Sequence, residues 1–281
     1  FFAGTRGVLQ ASAAACTGAG HWYWEDNVLY IYYTEDPDGA VDIETIKRDY
    51  CINGNSKDYV TIQNIDVKGG KVANILLSGA SCIVSSVDSS CAVIDFSVTG
   101  NSNSIYSSTA TSPSGTAFSI AGDSGTFYWN VISGAGGNGL LVSGASNTLY
   151  KFNITTSTSE AVDITGNTNT FYYSLLHSNL DDTFVVTGTS VTIYNNVIFD
   201  SGAAGLDADE SCTFRNNIVR TSTGDDINIA NTKTVTGGYN CFEDAAEAGT
   251  GTYTDTGTST LFSTDPEFID SASDDFRLNP H

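Results

Sequence analysis

Residues 146–232 read SNTLYKFNITTSTSEAVDITGN, TNTFYYSLLHSNLDDTFVVTGT, SVTIYNNVIFDSGAAGLDADE and SCTFRNNIVRTSTGDDINIANT when the sequence is broken at Ser146, Thr168, Ser190 and Ser211. Set under one another, these segments align almost without gaps, with a period of 22 residues and one segment of 21. Further segments in the same frame begin, toward the N-terminus, at Tyr59, Ser81, Ser102 and Ser124. A fixed period of this length indicates a repeat architecture.

Three columns of the alignment are apolar in every segment. The fourth column contains Ile62, Val84, Ile105, Phe127, Leu149, Phe171, Ile193 and Phe214, with Val235 as a ninth member. With a one-residue gap in the segment from Ser81, the seventeenth contains Ile75, Phe96, Phe118, Leu140, Val162, Phe184, Leu206 and Ile227. The nineteenth contains Leu77, Val98, Ile120, Val142, Ile164, Val186, Ala208 and Ile229. Apolar positions two apart predict a strand with one face inward.

The unit is too short and too rich in alternating strands for a helical repeat. It also lacks the Leu-x-x-Leu-x-Leu frame of leucine-rich repeats. These features predict an all-β parallel β-helix, in which each segment forms one coil and neighbouring coils pair through parallel ladders. We expect about eight to nine coils of 22 residues, with a segment covering the open ladder at each end.

Asparagines recur at two further columns. The second column contains Asn103, Asn147 and Asn169, and the seventh contains Asn130, Asn196 and Asn217. Stacked inward amides can hydrogen-bond along the coils and satisfy polar groups that would otherwise be buried without partners. Cys82 and Cys212 share the second column, so we interpret them as small buried thiols.

Three segments of the repeat carry a family resemblance: TIQNIDVKGG at 61–70, TIYNNVIFDSG at 192–202 and TFRNNIVRTS at 213–222. They resemble coils of the right-handed parallel β-helix superfamily, which includes pectate lyases, polygalacturonases and phage tailspikes. HWYWEDNVLYIYYTEDPD at 21–38 is similar to the aromatic hairpin ahead of the first coil in that superfamily, and DPEFIDSASDDFRLNP at 265–280 to its closing segment. The resemblance implies a right-handed fold, but that fold hosts lyases, hydrolases, adhesins and fibres, so it implies no single function.

The domain organisation follows from where the period holds. Residues 1–58 break it, and we expect an N-terminal cap there with a hairpin formed by Trp22 to Trp24 and Val28 to Tyr33. Residues 59–232 form the coils, and residues 233–281 form a last irregular coil and a C-terminal cap. We expect one domain overall.

The composition excludes several function classes. The chain has 32 acidic and 11 basic residues and a net charge of −21, so it cannot neutralise a run of nucleic-acid phosphates. No apolar run approaches the roughly 18 residues of a membrane span. The acidic, hydroxyl-rich, lysine-poor composition is typical of an extracellular or cell-surface protein.

The cysteines and histidines do not indicate a metal site. The six cysteines form no CxxC pair, and the three histidines have no ligand spacing, which argues against zinc. An extracellular location permits disulfides, although six cysteines allow fifteen pairings. Among these we predict one between Cys16 and Cys51.

The most informative outward positions are aromatic. The fifth column contains Tyr106, Tyr128, Tyr150, Tyr172 and Tyr194. Trp129 and Tyr173 follow in the sixth column. The rings can simply stack along the coils and stiffen them. Alternatively, an aromatic surface of this size is an interface for a second copy of the chain or a platform for sugar rings.

Acidic residues gather at another face of the coil. They are Glu160, Asp163, Asp181, Asp182, Asp207, Asp209, Glu210, Asp225 and Asp226. Asp163 and Asp207 share the eighteenth column two coils apart, roughly 9 to 10 Å, near the upper end of the separation for inverting glycoside hydrolysis. Asp163, Asp182 and Asp207 are therefore the catalytic candidates. Solvated acidic turns are the competing interpretation.

No other cofactor is indicated, but calcium is possible, because carboxylate oxygens from adjacent coils suit a hard cation. The candidate ligands are Glu160, Asp182, Asp225 and Asp226. The chain departs from the enzymes of the superfamily. Its coils carry few cations, and none of Lys68, Lys71, Lys151, Arg215 and Arg220 pairs with the acidic face in the repeat register. It also lacks the Asn-Thr-Asp, Gly-His-Gly and Arg-Ile-Lys signatures. Its charge would also repel polyuronates.

These observations favour a non-catalytic extracellular β-helix that acts as a structural, fibre or adhesin module through an aromatic interaction face. Its partner would be a second copy or a glycan. The alternative is a carbohydrate-active enzyme, a glycoside hydrolase or polysaccharide lyase, that uses the acidic residues on a neutral glycan.

Overall fold

The computed structural model describes residues 8–18, 21–25, 28–32, 48–90, 92–221, 225–243, 248–256, 260–261, 268–270 and 275–278. The chain divides into two units, Phe1–Arg48 and Asp49–His281.

The first unit contains the predicted aromatic hairpin. Strand His21–Glu25 pairs antiparallel with Val28–Ile31 and parallel with Val8–Leu9, and a short 3₁₀ helix spans Ala13–Ala15. The hairpin prediction is confirmed, although its turn at residues 26–27 and Tyr33 lie outside the described residues.

The second unit is a parallel β-solenoid of about nine turns, and each coil supplies strands to three parallel rows. Two strands run through both the first and second rows, Thr61–Lys68 and Ile83–Ser90. The first row continues with Ser104–Tyr106, Thr126–Tyr128, Thr148–Tyr150, Thr170–Tyr172, Thr192–Tyr194, Cys212–Arg215, Thr234–Gly238 and Thr252–Asp255. The second continues with Thr109–Thr111, Val131–Ser133, Asn153–Thr155, Leu175–Asn179, Val197–Ser201, Ile218–Thr221 and Cys241–Phe242.

The third row consists of Tyr50–Asn53, Ala73–Leu77, Ile94–Val98, Phe118–Ile120, Leu140–Val142, Val162–Ile164, Phe184–Val186, Leu206–Ala208, Ile227–Ile229 and Ala248–Gly249. Near the C-terminus, Phe268–Asp270 pairs antiparallel with Asp275–Leu278.

The strand register confirms the three apolar columns except for Val235, which lies opposite Cys212 of the second column and not opposite Phe214 of the fourth. Phe127 lies opposite Ile105 on one side and Leu149 on the other, and the same one-coil step continues along the first row. In the third row, Phe118 lies opposite Phe96 and Leu140. Nearly all members of the fourth, seventeenth and nineteenth columns are inaccessible to solvent. They form one continuous core along the solenoid.

The asparagine columns form buried hydrogen-bonded ladders, as predicted. The side chain of Asn169 accepts a bond from the backbone N–H of Asn147 (2.8 Å) and donates to the carbonyls of Gly144 (2.9 Å) and Gly166 (2.8 Å). In the seventh column, Asn217 accepts from the N–H of Asn196 (2.9 Å). Each amide therefore satisfies backbone groups at a turn that has no strand pairing of its own.

The turn beside the second column requires glycine. A Cβ at Gly144 would overlap the carbonyl oxygen of Gly122, and one at Gly122 would overlap that of Gly100. The coils approach each other closely at this corner because there is no side chain between them.

The predicted start of the coils needs correction. Tyr50–Asn53, before residue 59, already pairs with Ala73–Leu77 in the third row, and the chain divides into two units after Arg48 where one domain was expected. At the other end, a coil follows residue 232 as predicted, since Thr234–Gly238 pairs with Cys212–Arg215 and with Thr252–Asp255.

Cys16 and Cys51 are free thiols in the structure and belong to different units, so the disulfide between them stays a prediction. The Cys16 thiol donates to the carbonyl of Ser12 at 3.8 Å. The Cys51 sulfur lies 3.3 Å from Oδ1 of Asn74, on the coil that follows it. As predicted, Cys82 and Cys212 are buried in the second column, and burial raises the pKa of Cys212 to about 12.

A buried polar cluster interrupts the apolar core in the first coils. Asp95 is fully buried and accepts hydrogen bonds from Ser89 Oγ (2.9 Å) and Asn74 Nδ2 (3.0 Å). Burial is the main cause that raises the pKa of Asp95 to about 7, and these hydrogen bonds lower it only in part. Ser89 holds a place that is apolar in later coils, where Ala110 and Ile132 lie in register with it.

The raised pKa of Asp95 makes stability depend on pH. The folded protein retains a proton that the unfolded chain releases between about pH 4 and pH 7, so the free energy of unfolding falls as pH rises through that window. We expect Asp95→Asn to reduce the loss of stability between pH 5 and pH 8 by roughly 2 kcal/mol, measured by chemical denaturation at both values. The exposed Asp88→Asn is the control. An undiminished pH dependence in Asp95→Asn would contradict the assignment.

Candidate functional site

The five tyrosines of the fifth column form one continuous stack on the outside of the first row. Consecutive ring centroids from Tyr106 to Tyr194 are 4.9, 5.0, 5.0 and 4.8 Å apart, with interplanar angles of 4° to 12°. Every ring is half-buried. The stacking predicted as one alternative is therefore present, and the ring faces are largely covered by one another.

The pKa values of three stacked hydroxyls, those of Tyr128, Tyr172 and Tyr194, are raised, which favours the neutral phenol. Burial is the largest cause that raises the pKa of Tyr128, and its neighbours Tyr106 and Tyr150 raise it further. The tyrosine stack thus presents ring edges and neutral hydroxyls to solvent.

The sixth column marks a bend between the first and second rows, and its backbone is left-handed in every coil. Positive φ values of 52° to 59° occur at Asn64, Ser86, Ser107, Trp129, Lys151, Tyr173, Asn195, Asn216 and Tyr239. Asparagine tolerates this conformation, whereas a bulky side chain makes it costly. The fold therefore imposes the conformation, and the large residues at this bend are unfavourable choices for it.

Trp129 and Tyr173 are the exposed aromatic residues of the predicted set. Their exposed fractions are 54% and 56%. They lie two coils apart, with Lys151 on the coil between them and its Nζ 4.8 Å from the centre of the Trp129 ring.

A shallow open groove of about 510 Å³ lies between these side chains and the second row. Trp129, Lys151 and Tyr173 line one side, and Leu175 and Val197 contribute aliphatic surface on the other. The ring of Trp129 stands at 61° to Tyr128, and that of Tyr173 at 68° to Tyr172. The groove is therefore mostly apolar with one cation in it. Sequence analysis identified both rings but missed Lys151, because that column mixes residue types.

The acidic candidates lie on the third row. Asp163, Val185 and Asp207 follow one another in register, as the column predicted. Burial, and then the charge of Glu160, raises the pKa of Asp163 to about 6. Burial, and then the charge of Asp182, raises the pKa of Asp207, although Asn228 Nδ2 donates to it at 2.9 Å.

Asp182 is held by the backbone rather than by a ligand. It accepts a hydrogen bond of 2.6 Å from the N–H of Ala204, and burial is still the main cause that raises its pKa. Of the other calcium candidates, Asp225 is exposed whereas Asp226 is buried, so the two point in different directions. Within the described ranges, no group of three or more His, Cys, Asp or Glu residues could hold a metal ion.

A profile of the family described as "Right handed beta helix region" matches residues 96–265. The chain belongs to this right-handed β-helix family. One similar solved structure is the crystal structure of alginate lyase from Paenibacillus sp. str. FPU-7, with 11% identity, a TM-score of 0.39, and coverage of 76% of this chain and 97% of that chain. No curated protein matches this β-helix chain in sequence. The described part of the chain contains no helix that is long and apolar enough to cross a membrane.

The stack makes a prediction about the stability of the β-helix. Tyr150 takes part in two ring contacts and Tyr106 in one. We expect Tyr150→Ser to lower the free energy of unfolding by about 1 to 3 kcal/mol, and Tyr106→Ser by about half as much. Denaturant titration measures both. Equal losses in the two variants would show that the contacts add nothing beyond the intrinsic strand preference of tyrosine.

Proposed function

We propose that the protein is a non-catalytic extracellular β-helix module that binds a glycan in the groove formed by Trp129, Lys151 and Tyr173. The observation that carries this proposal is that two large exposed rings at left-handed backbone positions line one groove together with Lys151, whereas Tyr239, exposed in the same column, does not line it. Such positions cost of order 1 kcal/mol or more for a bulky residue. The acidic, hydroxyl-rich composition supports the extracellular location.

The fold itself does not need these rings. Asn195 and Asn216 occupy the same bend in the next two coils, and asparagine meets the backbone requirement at lower cost. Backbone strain that the fold does not require is typical of functional positions. The surface of Trp129 and Tyr173 is therefore the reason for their presence.

The tyrosine stack supports the rings from behind. The Trp129 ring contacts Tyr128 edge-on at 5.4 Å, and Tyr173 contacts Tyr172 at 5.2 Å and Tyr194 at 6.3 Å. Rings held in this way lose little freedom when a ligand binds. Flat aromatic faces beside hydroxyl and ammonium donors suit sugar rings, which have apolar faces and oxygen-rich edges.

Replacing the two rings separates binding from folding. In Trp129→Asn and Tyr173→Asn, the relief of backbone strain and the loss of a ring contact nearly cancel, so we expect stability to change by less than about 1 kcal/mol. Binding on a glycan array should be lost. Tyr239→Asn is the matched control, because Tyr239 is exposed in the same column.

Three results would count against glycan binding: array signals unchanged in both variants, no array signal for the parent, or binding only between copies of the chain. Sedimentation of the parent and of both variants detects the last of these. If copies of the chain associate through these rings, Trp129→Asn would sediment as the monomer even without glycan.

A second candidate function is glycoside hydrolysis on the third row. It is favoured by the register of Asp163 and Asp207 two coils apart and by the raised pKa of Asp163, about 6. A protonated Asp163 could act as the general acid and an ionised Asp207 as the base. The pair lies on a different row from the aromatic groove, however, so a ligand held by the rings would not be presented to it.

The two candidates differ in one assay. We expect the parent to release neither reducing ends from neutral glycans nor unsaturated products from polygalacturonate or alginate, with or without calcium. Release of reducing ends that Asp163→Asn and Asp207→Asn each abolish would establish the hydrolase instead. Asp123→Asn, at an exposed turn, controls for a general effect of lost charge.

A further inference from the structure

We propose that the glycan in this groove is an uncharged, flat, equatorially linked chain that lies along the solenoid axis and stacks alternate sugars on Trp129 and Tyr173. This inference rests on the proposed function and specifies the class of ligand.

The spacing of the rings sets the period of the ligand. The register passes from Tyr128 to Tyr150 to Tyr172 in two one-coil steps. Trp129 follows Tyr128 in the chain and Tyr173 follows Tyr172, so the two rings are also two coils apart. Two inter-strand steps are roughly 10 Å. In an extended equatorially linked glycan, two sugars span about the same distance, and every second sugar presents the same face. A chain with axial linkages curves away from a straight row of rings.

The orientation of the rings favours an axial path. Rings of the tyrosine stack face along the solenoid, each lying nearly parallel to the next. Trp129 and Tyr173 are turned by 61° and 68° from those rings. Both ring planes therefore tilt by similar angles toward the solenoid axis, and a chain that runs along the axis passes both rings.

Lys151 lies on the coil between the two rings, with its ammonium over the Trp129 ring at 4.8 Å from the ring centre. A sugar that stacks on that face moves the flexible lysine side chain toward the intervening sugar. That sugar presents its edge to the groove, and the Lys151 ammonium supplies donors for its hydroxyl and ring oxygens. Among the described residues, no carboxylate forms an ion pair with Lys151. The groove thus offers a cationic donor in a chain of net charge −21. The single cation supplies donors to oxygen acceptors and disfavours a polycation, while the net charge of the chain repels a polyanion, which leaves an uncharged ligand.

The aliphatic side of the groove follows the coils. Leu175 and Val197 lie directly opposite each other in the second row and line the groove together. The two side chains are one coil apart, so they follow one another along the solenoid axis, as the rings do.

Calorimetric titration of the full chain with cellohexaose, chitohexaose and maltohexaose tests the linkage. We expect at least one of the two β-1,4-linked probes to bind at least tenfold more tightly than the α-1,4-linked maltohexaose. Trp129→Asn and Tyr173→Asn should each weaken that binding at least tenfold, and Tyr239→Asn should leave it unchanged. Equal or tighter binding of maltohexaose through the same rings overturns the ribbon inference and leaves glycan binding intact. Failure of all three probes to bind overturns the inference, whereas the glycan array decides the proposed function separately.

A gain-of-function pair tests the two-coil period. Asn216 lies two coils beyond Tyr173, and Asn195 lies one coil beyond it, in the same column. Asn216→Trp adds a third ring at the same two-coil spacing. We therefore expect it to raise the affinity for the preferred hexasaccharide at least threefold without changing the affinity for the corresponding trisaccharide. Asn195→Trp adds a ring only one coil beyond Tyr173, where the sugar presents its edge, and should not raise the affinity. An equal gain from both, or none from Asn216→Trp, overturns the alternate-sugar geometry.

Discussion

The structure depends on one constraint, the parallel register that places residues of one column directly opposite each other in successive coils. Backbone hydrogen bonds fix this register at about 4.8 Å per coil. Any property of a column is then repeated along the solenoid: apolar columns become a core, an asparagine column becomes a hydrogen-bonded ladder, and a tyrosine column becomes a ring stack.

The sequence was sufficient to predict whatever repeats. The inward columns, exemplified by Phe127 and Phe171, were identified from apolarity alone, because nine coils supply independent copies of the same signal. Strand Tyr50–Asn53 was missed because it supplies a third-row strand without a complete repeat before it. The register of the coil after residue 232 was misassigned, because glycine (Gly237) lies opposite Phe214 whereas the apolar Val235 lies two residues earlier.

What the sequence could not reveal depends on contacts between different columns or on backbone conformation. The pKa of Asp95 follows from its burial beside Ser89 and Asn74, and these three residues come from three different strands. The left-handed bend was hidden because its column contains residues of several types, including Asn, Ser, Trp and Lys. For the same reason, Lys151 did not stand out as part of a groove.

The strict repeat also explains where a selective site can form. A column that repeats unchanged produces a uniform surface, which gives every position along the solenoid the same affinity. Specificity requires an interruption, and the sixth column provides one where Trp129, Lys151 and Tyr173 follow each other. The order aromatic, cationic, aromatic places similar side chains two coils apart, although the backbone repeats with every coil. The tyrosine stack beneath remains unbroken, so the interruption changes the surface without disturbing the register that supports it.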